Sequence, residues 1–265
     1  MDQQAIETIV RRVIEELNHP GAGSGKRGIY SSLDDAVAAA TMAQKKIHSI
    51  ALRERIIEEI RAITREHARE LSEMAVRETG FGRVEDKVRK HLLVANKTPG
   101  PEVVVPMVMS GDYGLSLMEN AAWGVIASVT PSTNPSATVV NNSISMIAAG
   151  NAVVFAPHPA AKAVSQRAVQ LVNEASVRAG GPDGIVTTVA DPNLDNARKL
   201  FVFPGINLLV VTGGDAVVEA ARSVTDKRLI AAGPGNPPVV VDDTADIERA
   251  AISIVQGASF DPNLD

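Results

Sequence analysis

Between the apolar run Trp123–Val129 and a stretch that reads as a helix, Ser136–Ala149, the chain places Thr130, Pro131, Ser132, Thr133, Asn134 and Pro135. Three hydroxyls and one side-chain amide, stiffened by two prolines, make a cluster of hydrogen-bonding groups at a strand-to-helix junction. Two roles suit Asn134. It can cap the helix that follows, as Asn does well, or its amide can donate to an oxygen that gains negative charge during a reaction. Two further turns share this character: Ala156–Pro159, "APHP", and Thr212–Gly214, "TGG". His158 taken alone reads as a hydrogen-bonded loop residue. Gly213 and Gly214 suit an ordinary turn, and they also permit close backbone approach where a helix N-terminus favours negative charge.

The chain contains no cysteine, which excludes disulfides, thiolate metal sites and a cysteine nucleophile within these residues. No metal site is expected. The segment "GSGK" (23–26) is not a phosphate loop, because Arg27 replaces the required Ser or Thr and no strand precedes it.

The elements that position these turns follow from periodicity. Residues 1–18 carry Ile6, Ile9, Val10, Val13, Ile14 and Leu17 as one apolar helical stripe, followed by a Gly-rich tether, 19–28. Such a helix either folds back, pairs in an oligomer, or docks in a partner's groove. Helices are predicted over 32–47, started by Ser32 with Asp35, and over 51–78, stopped by Gly80. Residues 103–120 predict a hairpin about "GDYG". Apolar runs at 124–129, 152–156, 185–189, 208–211 and 238–241 then alternate with helical segments at 136–149, 160–179, 193–202 and 214–224. Strands without polar alternation are buried on both faces, so residues 121–257 predict a doubly wound α/β domain with a parallel sheet. All three polar turns lie at carboxyl ends of predicted strands, the edge where such sheets bind ligands.

The balance of residues narrows the function. A formal charge of −5 and 3% aromatic residues argue against nucleic-acid binding. No run of 18 apolar residues occurs, so no transmembrane helix is expected, and the polar N-terminus does not read as a signal peptide. The expected location is the cytoplasm.

No G-x-G-x-x-G fingerprint follows any strand. Instead "TPSTNPSATVVNNSISMIAAGNAVVFAPHPAA", "TGG", "AAGPGNPPVVVDDTADIERAA" and "GASFDPNL" together resemble the CoA-acylating branch of the aldehyde dehydrogenase superfamily, from about residue 30 onward. The resemblance implies an aldehyde-dehydrogenase-like Rossmann variant with N-terminal helices, residues 29–265 binding NAD and coenzyme A, and an oligomerisation hairpin at about 103–120. It implies that Asn134 donates to the oxygen of thiohemiacetal and thioester intermediates. It implies cofactor contacts at Thr130, Pro131, Ser132, His158, Pro159, Thr212, Gly213, Gly214 and Gly233, with part of the adenine pocket near Gly180–Gly184. Ala231 stands where hydrolytic relatives carry a water-activating glutamate, so coenzyme A rather than water would take the acyl group.

In that branch the catalytic cysteine would fall one or two residues beyond Asp265, and a catalytic domain would follow. The expected reaction is a short-chain aldehyde, acetaldehyde or propionaldehyde, with NAD and CoA giving acyl-CoA and NADH in a homodimer or homotetramer. Residues 1–18 resemble the encapsulation peptides that bind shell proteins of bacterial microcompartments. The alternative is an inactive NAD/CoA-binding module or cargo fragment.

Overall fold

A computed structural model describes residues 27–233, 235 and 237–261. The expected N-terminal helix and most of its tether lie outside the described residues.

Six parallel strands form one sheet in the order β1-β6-β5-β4-β7-β8: β1 (Ile29–Tyr30), β4 (Val125–Thr130), β5 (Ala152–Pro157), β6 (Val186–Val189), β7 (Leu208–Thr212) and β8 (Arg228–Ala232). Their Val/Ile-rich sequences lack polar alternation because helices cover both faces. Ile126, Val153, Phe155 and Leu208 pack on α2 (Ile50–Thr79), α4 (Pro135–Ala148) and α5 (Lys162–Arg178). The alternate residues Val125, Ala127, Val154 and Leu209 pack on α1 (Leu33–Gln44), α6 (Leu194–Val202) and α7 (Asp215–Arg222).

Local signals act where expected. Ser32 Oγ accepts from Asp35 N at 3.1 Å and opens α1. Gly80, at φ 72°, ends α2 in the left-handed conformation that glycine adopts without Cβ strain. The hairpin pairs β2 (Met107–Gly111) with β3 (Gly114–Met118) and exposes both strands throughout.

One expectation fails. The strand expected at 238–241 does not form; the last strand is Arg228–Ala232, paired in parallel with β7. Pro237 and Pro238 supply no backbone donor for a ladder, and Val239–Val241 remain exposed and unpaired. The charged neighbours of Arg228–Ala232 hide that strand from a search for apolar runs.

An additional helix, α3 (Val84–Lys97), has no counterpart in the reading above. Its buried side includes Lys87, His91 and Ala95, a four-residue spacing that is mostly polar. Apolar periodicity therefore does not reveal it. A final helix, α8 (Ile247–Ser259), packs with no buried residue.

Candidate functional site

The chain leaves β4 toward β5 and β6 on one side, then returns to place β7 on the other. That reversal opens a crevice at the carboxyl ends of β4 and β7. A cleft of about 910 Å³ lies there. The β4–α4 turn contributes Thr130, Pro131, Ser132 and Asn134; the end of β5 contributes His158 and Pro159. Thr212, Gly213 and Gly214 come from the end of β7, and Gly233 from the end of β8. Asn134 and the cofactor candidates on the strand-end turns thus meet in one cleft. Gly180–Gly184 do not: they precede β6 at the opposite, amino-terminal edge, where Gly180 and Gly184 make left-handed turns.

The described residues lining the cleft include no carboxylate, lysine or arginine, and His158 is its titratable group. The lining is otherwise hydroxyl, amide, glycine and apolar. β8 presents Ala232 and Gly233 here, so no acid from that strand faces the space next to Ala231. His158 Nδ1 accepts from Ala160 N at 3.1 Å, which leaves Nε2 as the protonated donor. Thr130 is 1% exposed, and its Oγ1 has no hydrogen-bond partner among the described residues. A buried hydroxyl without a partner is costly. The helix after Gly214 has no side-chain cap, so its N-terminus also favours an anionic group.

Asn134 occupies the cap position of α4, yet its side chain makes no capping hydrogen bond. Its Oδ1 instead accepts from Lys90 Nζ at 3.2 Å. Lys90 and Lys87 come from α3, and both reach Asp261 Oδ2, at 3.0 and 3.4 Å. Lys87 Nζ also donates to Thr133 O at 2.9 Å. Asp86 accepts from Arg83 and from Asp261 N, and these bonds hold its carboxyl below the usual range. Sequence reasoning missed this cluster because its members lie on an unrecognised helix and far down the chain. It also missed Asn193 and Leu194, which follow β6 and line the cleft.

No group of three His, Asp or Glu among the described residues is placed to hold a metal ion. Among the same residues no helix is long and apolar enough to cross a membrane.

A parallel sheet of this order, with a neutral, donor-lined cleft at its switch point, defines a doubly wound α/β domain of the ligand-binding type. Sequence comparison makes the class specific: the profile of the aldehyde dehydrogenase family matches residues 12–261, and the chain belongs to that family. It is 60% identical over 267 aligned residues to the acetylating acetaldehyde dehydrogenase EutE of Escherichia coli K12, covering 100% of this chain and 57% of that protein. The propionaldehyde dehydrogenase of the Clostridium phytofermentans fucose utilisation microcompartment superposes with a TM-score of 0.87 at 49% identity, over 90% of this chain and 55% of the other. The Rhodopseudomonas palustris propionaldehyde dehydrogenase with bound propionyl-CoA gives a TM-score of 0.87 at 45% identity, over 92% of this chain and 54% of the other. The chain therefore spans just over half the length of these relatives.

Proposed function

We propose that this chain is the cofactor-binding portion of a CoA-acylating aldehyde dehydrogenase. It would act on a short-chain aldehyde, acetaldehyde or propionaldehyde, with NAD and coenzyme A. The observation that carries this reading is the side chain of Asn134, which lines the cleft with its oxygen engaged by Lys90 rather than capping α4. The relatives' names supply the reaction class and the aldehyde.

The cleft suits a nucleotide. The orphaned Thr130 hydroxyl, the donor nitrogen of His158 and the uncapped helix after Gly214 would hold ribose and phosphate groups. Pro131, Ser132, Pro159, Thr212, Gly213 and Gly233 complete its wall. When bound, the nicotinamide supplies the hydride acceptor and coenzyme A the thiol that accepts the acyl group.

The chain's own part is positioning. Asn134 donates its amide hydrogens to the aldehyde oxygen as that oxygen gains charge. With Ala231 on β8 and no carboxylate among the described residues lining the cleft, those residues provide no side-chain base to turn water on the acyl group. The nucleophile is a cysteine that residues 1–265 do not contain. The exposed hairpin about 103–120 would serve a dimer or tetramer, and residues 1–18 would bind microcompartment shell proteins in the cytoplasm.

The test is NADH formation by a chain extended to the relatives' length. Turnover is expected only with aldehyde, NAD and CoA together, and equal rates without CoA would refute acyl transfer. In the 265-residue chain, added CoA should displace bound NADH. Simultaneous binding with unchanged affinities would show that the two ligands do not share this cleft.

A further inference from the structure

The cluster behind Asn134 joins three segments that are distant in sequence. Lys90 Nζ lies 3.2 Å from Asn134 Oδ1 and 3.0 Å from Asp261 Oδ2, and 5.6 Å from the centre of the Phe260 ring. Asp261 is 1% exposed, and its other oxygen accepts from Arg83 N at 3.1 Å. Its own N–H donates to Asp86 Oδ2 at 3.1 Å. The residue sits at φ 47°, the one positive value among described non-glycine residues. Gly82 packs against it so closely that a Cβ there would stand 1.9 Å from Asp261 Oδ1. The Ser259–Asp261 segment is thus seated on the start of α3.

Burying ammonium and carboxylate groups together is a poor way to gain stability alone, because apolar replacements of similar volume often do as well. The arrangement has a directional consequence instead. An ammonium only donates, so the Asn134 atom facing Lys90 must be its oxygen. The reversed amide would set NH2 against the ammonium. Among the described residues the Asn134 NH2 has no acceptor, so the pair leaves that group as the donor on offer.

We propose that Lys90, held by Asp261, is a positioning residue that fixes the amide orientation of Asn134 and so makes it a donor to the reacting oxygen. This rests on the reading of Asn134 under the proposed function. Lys87 does the same for the backbone of the turn through Thr133 O.

Two measurements test it. In the 265-residue chain labelled with 15N-asparagine, the Asn134 NH2 resonances are identified by their loss in Asn134→Ala. They should move in Lys90→Met and stay near their native positions in Lys90→Arg. If Lys90→Met does not fold, Asp261→Asn, which keeps the shape but removes the charge holding Lys90, gives the same readout. Resonances unmoved in a folded variant overturn the proposal.

The second measurement uses a chain extended to the relatives' length. Lys90→Met should lower kcat by about 10- to 100-fold with the KM for NAD unchanged. The double variant with Asn134→Ala should lose no more than Asn134→Ala alone, since one residue acts through the other. Independent, multiplying losses overturn the proposal. If the unsubstituted extended chain forms no acyl-CoA, the functional reading fails, and the amide resonances still decide whether Lys90 orients Asn134.

Discussion

The carboxylate of Glu78, near the end of α2, accepts from Ala163 N at 2.7 Å and from Val164 N at 2.8 Å, the second and third residues of α5. Ala161 precedes that helix and has no side-chain acceptor, so Glu78, 85 positions before Ala163, does the capping. The N-terminus of α5 already holds an anion. The helices that open on the cleft, α4 and α7, have no such side-chain cap.

Glu78→Ala should therefore destabilise the chain by about 1–2 kcal/mol in urea denaturation while leaving NADH affinity unchanged. A parallel loss of NADH binding would place α5 in the nucleotide site.

Thr130→Val separates stability from binding. Removing a buried hydroxyl without a partner should raise folding stability by about 1 kcal/mol in urea denaturation, whereas NADH affinity, followed by fluorescence, should fall. Unchanged affinity would mean that the hydroxyl serves no ligand.

Deleting residues 1–18 should leave NADH affinity intact and abolish co-localisation with microcompartment shell proteins. The apolar stripe from Ile6 to Leu17 is the motive, and retained co-localisation would remove the docking role.

The parallel sheet was legible in the sequence because strands buried on both faces advertise themselves as unbroken Val/Ile runs. The cleft was legible because turns at their carboxyl ends gather Pro, Gly and hydroxyl residues. Two parts were hidden for physical reasons. α3 buries Lys87 and His91 on the side a periodicity search expects to be apolar, and their burial is tolerated only through partners from other segments. The partnership of Lys90 with Asp261 spans most of the chain, and no local pattern encodes it. The edge strand β8 offers only the short apolar run Leu229–Ala232 behind the charged Asp226, Lys227 and Arg228, while the apolar Val239–Val241 follow two prolines and join no ladder.

His91 predicts a pH dependence of stability. It is 2% exposed, its Nδ1 lies 2.8 Å from Lys87 O, and its Nε2 lies 2.9 Å from Ser136 Oγ. Nδ1–H then donates to the carbonyl and Nε2 accepts from the hydroxyl, a neutral ring with both nitrogens matched. Burial pushes its pKa down from 6.5 to about 4. Between those values the unfolded chain binds a proton that the folded chain refuses. The stability this neutral ring contributes is present above about pH 6.5 and is lost as pH falls toward 4, by up to about 3 kcal/mol. His91→Gln should flatten the fall in melting temperature across that window. An equally steep fall would assign the acid sensitivity to other groups.

Asn134→Ala tests the centre of the functional reading. Hydride leaves an aldehyde carbon readily only after a thiolate has added to it, and that addition puts negative charge on the oxygen. Asn134 can stabilise this charge but cannot create it, and residues 1–265 hold no thiol. The 265-residue chain should therefore bind NADH yet form none from aldehyde, NAD and CoA. In a chain extended to the relatives' length, losing one preorganised donor should lower kcat by about 100-fold or more. NAD affinity should change little, because the interaction exists only as charge develops. Helix capping predicts a different pattern: a loss of about 1 kcal/mol in folding stability with nearly normal turnover. Steady-state kinetics and denaturation of the same variant separate the two. Near-normal kcat with lowered stability would return Asn134 to capping, and CoA-dependent turnover by the 265-residue chain would overturn the need for a cysteine on the protein.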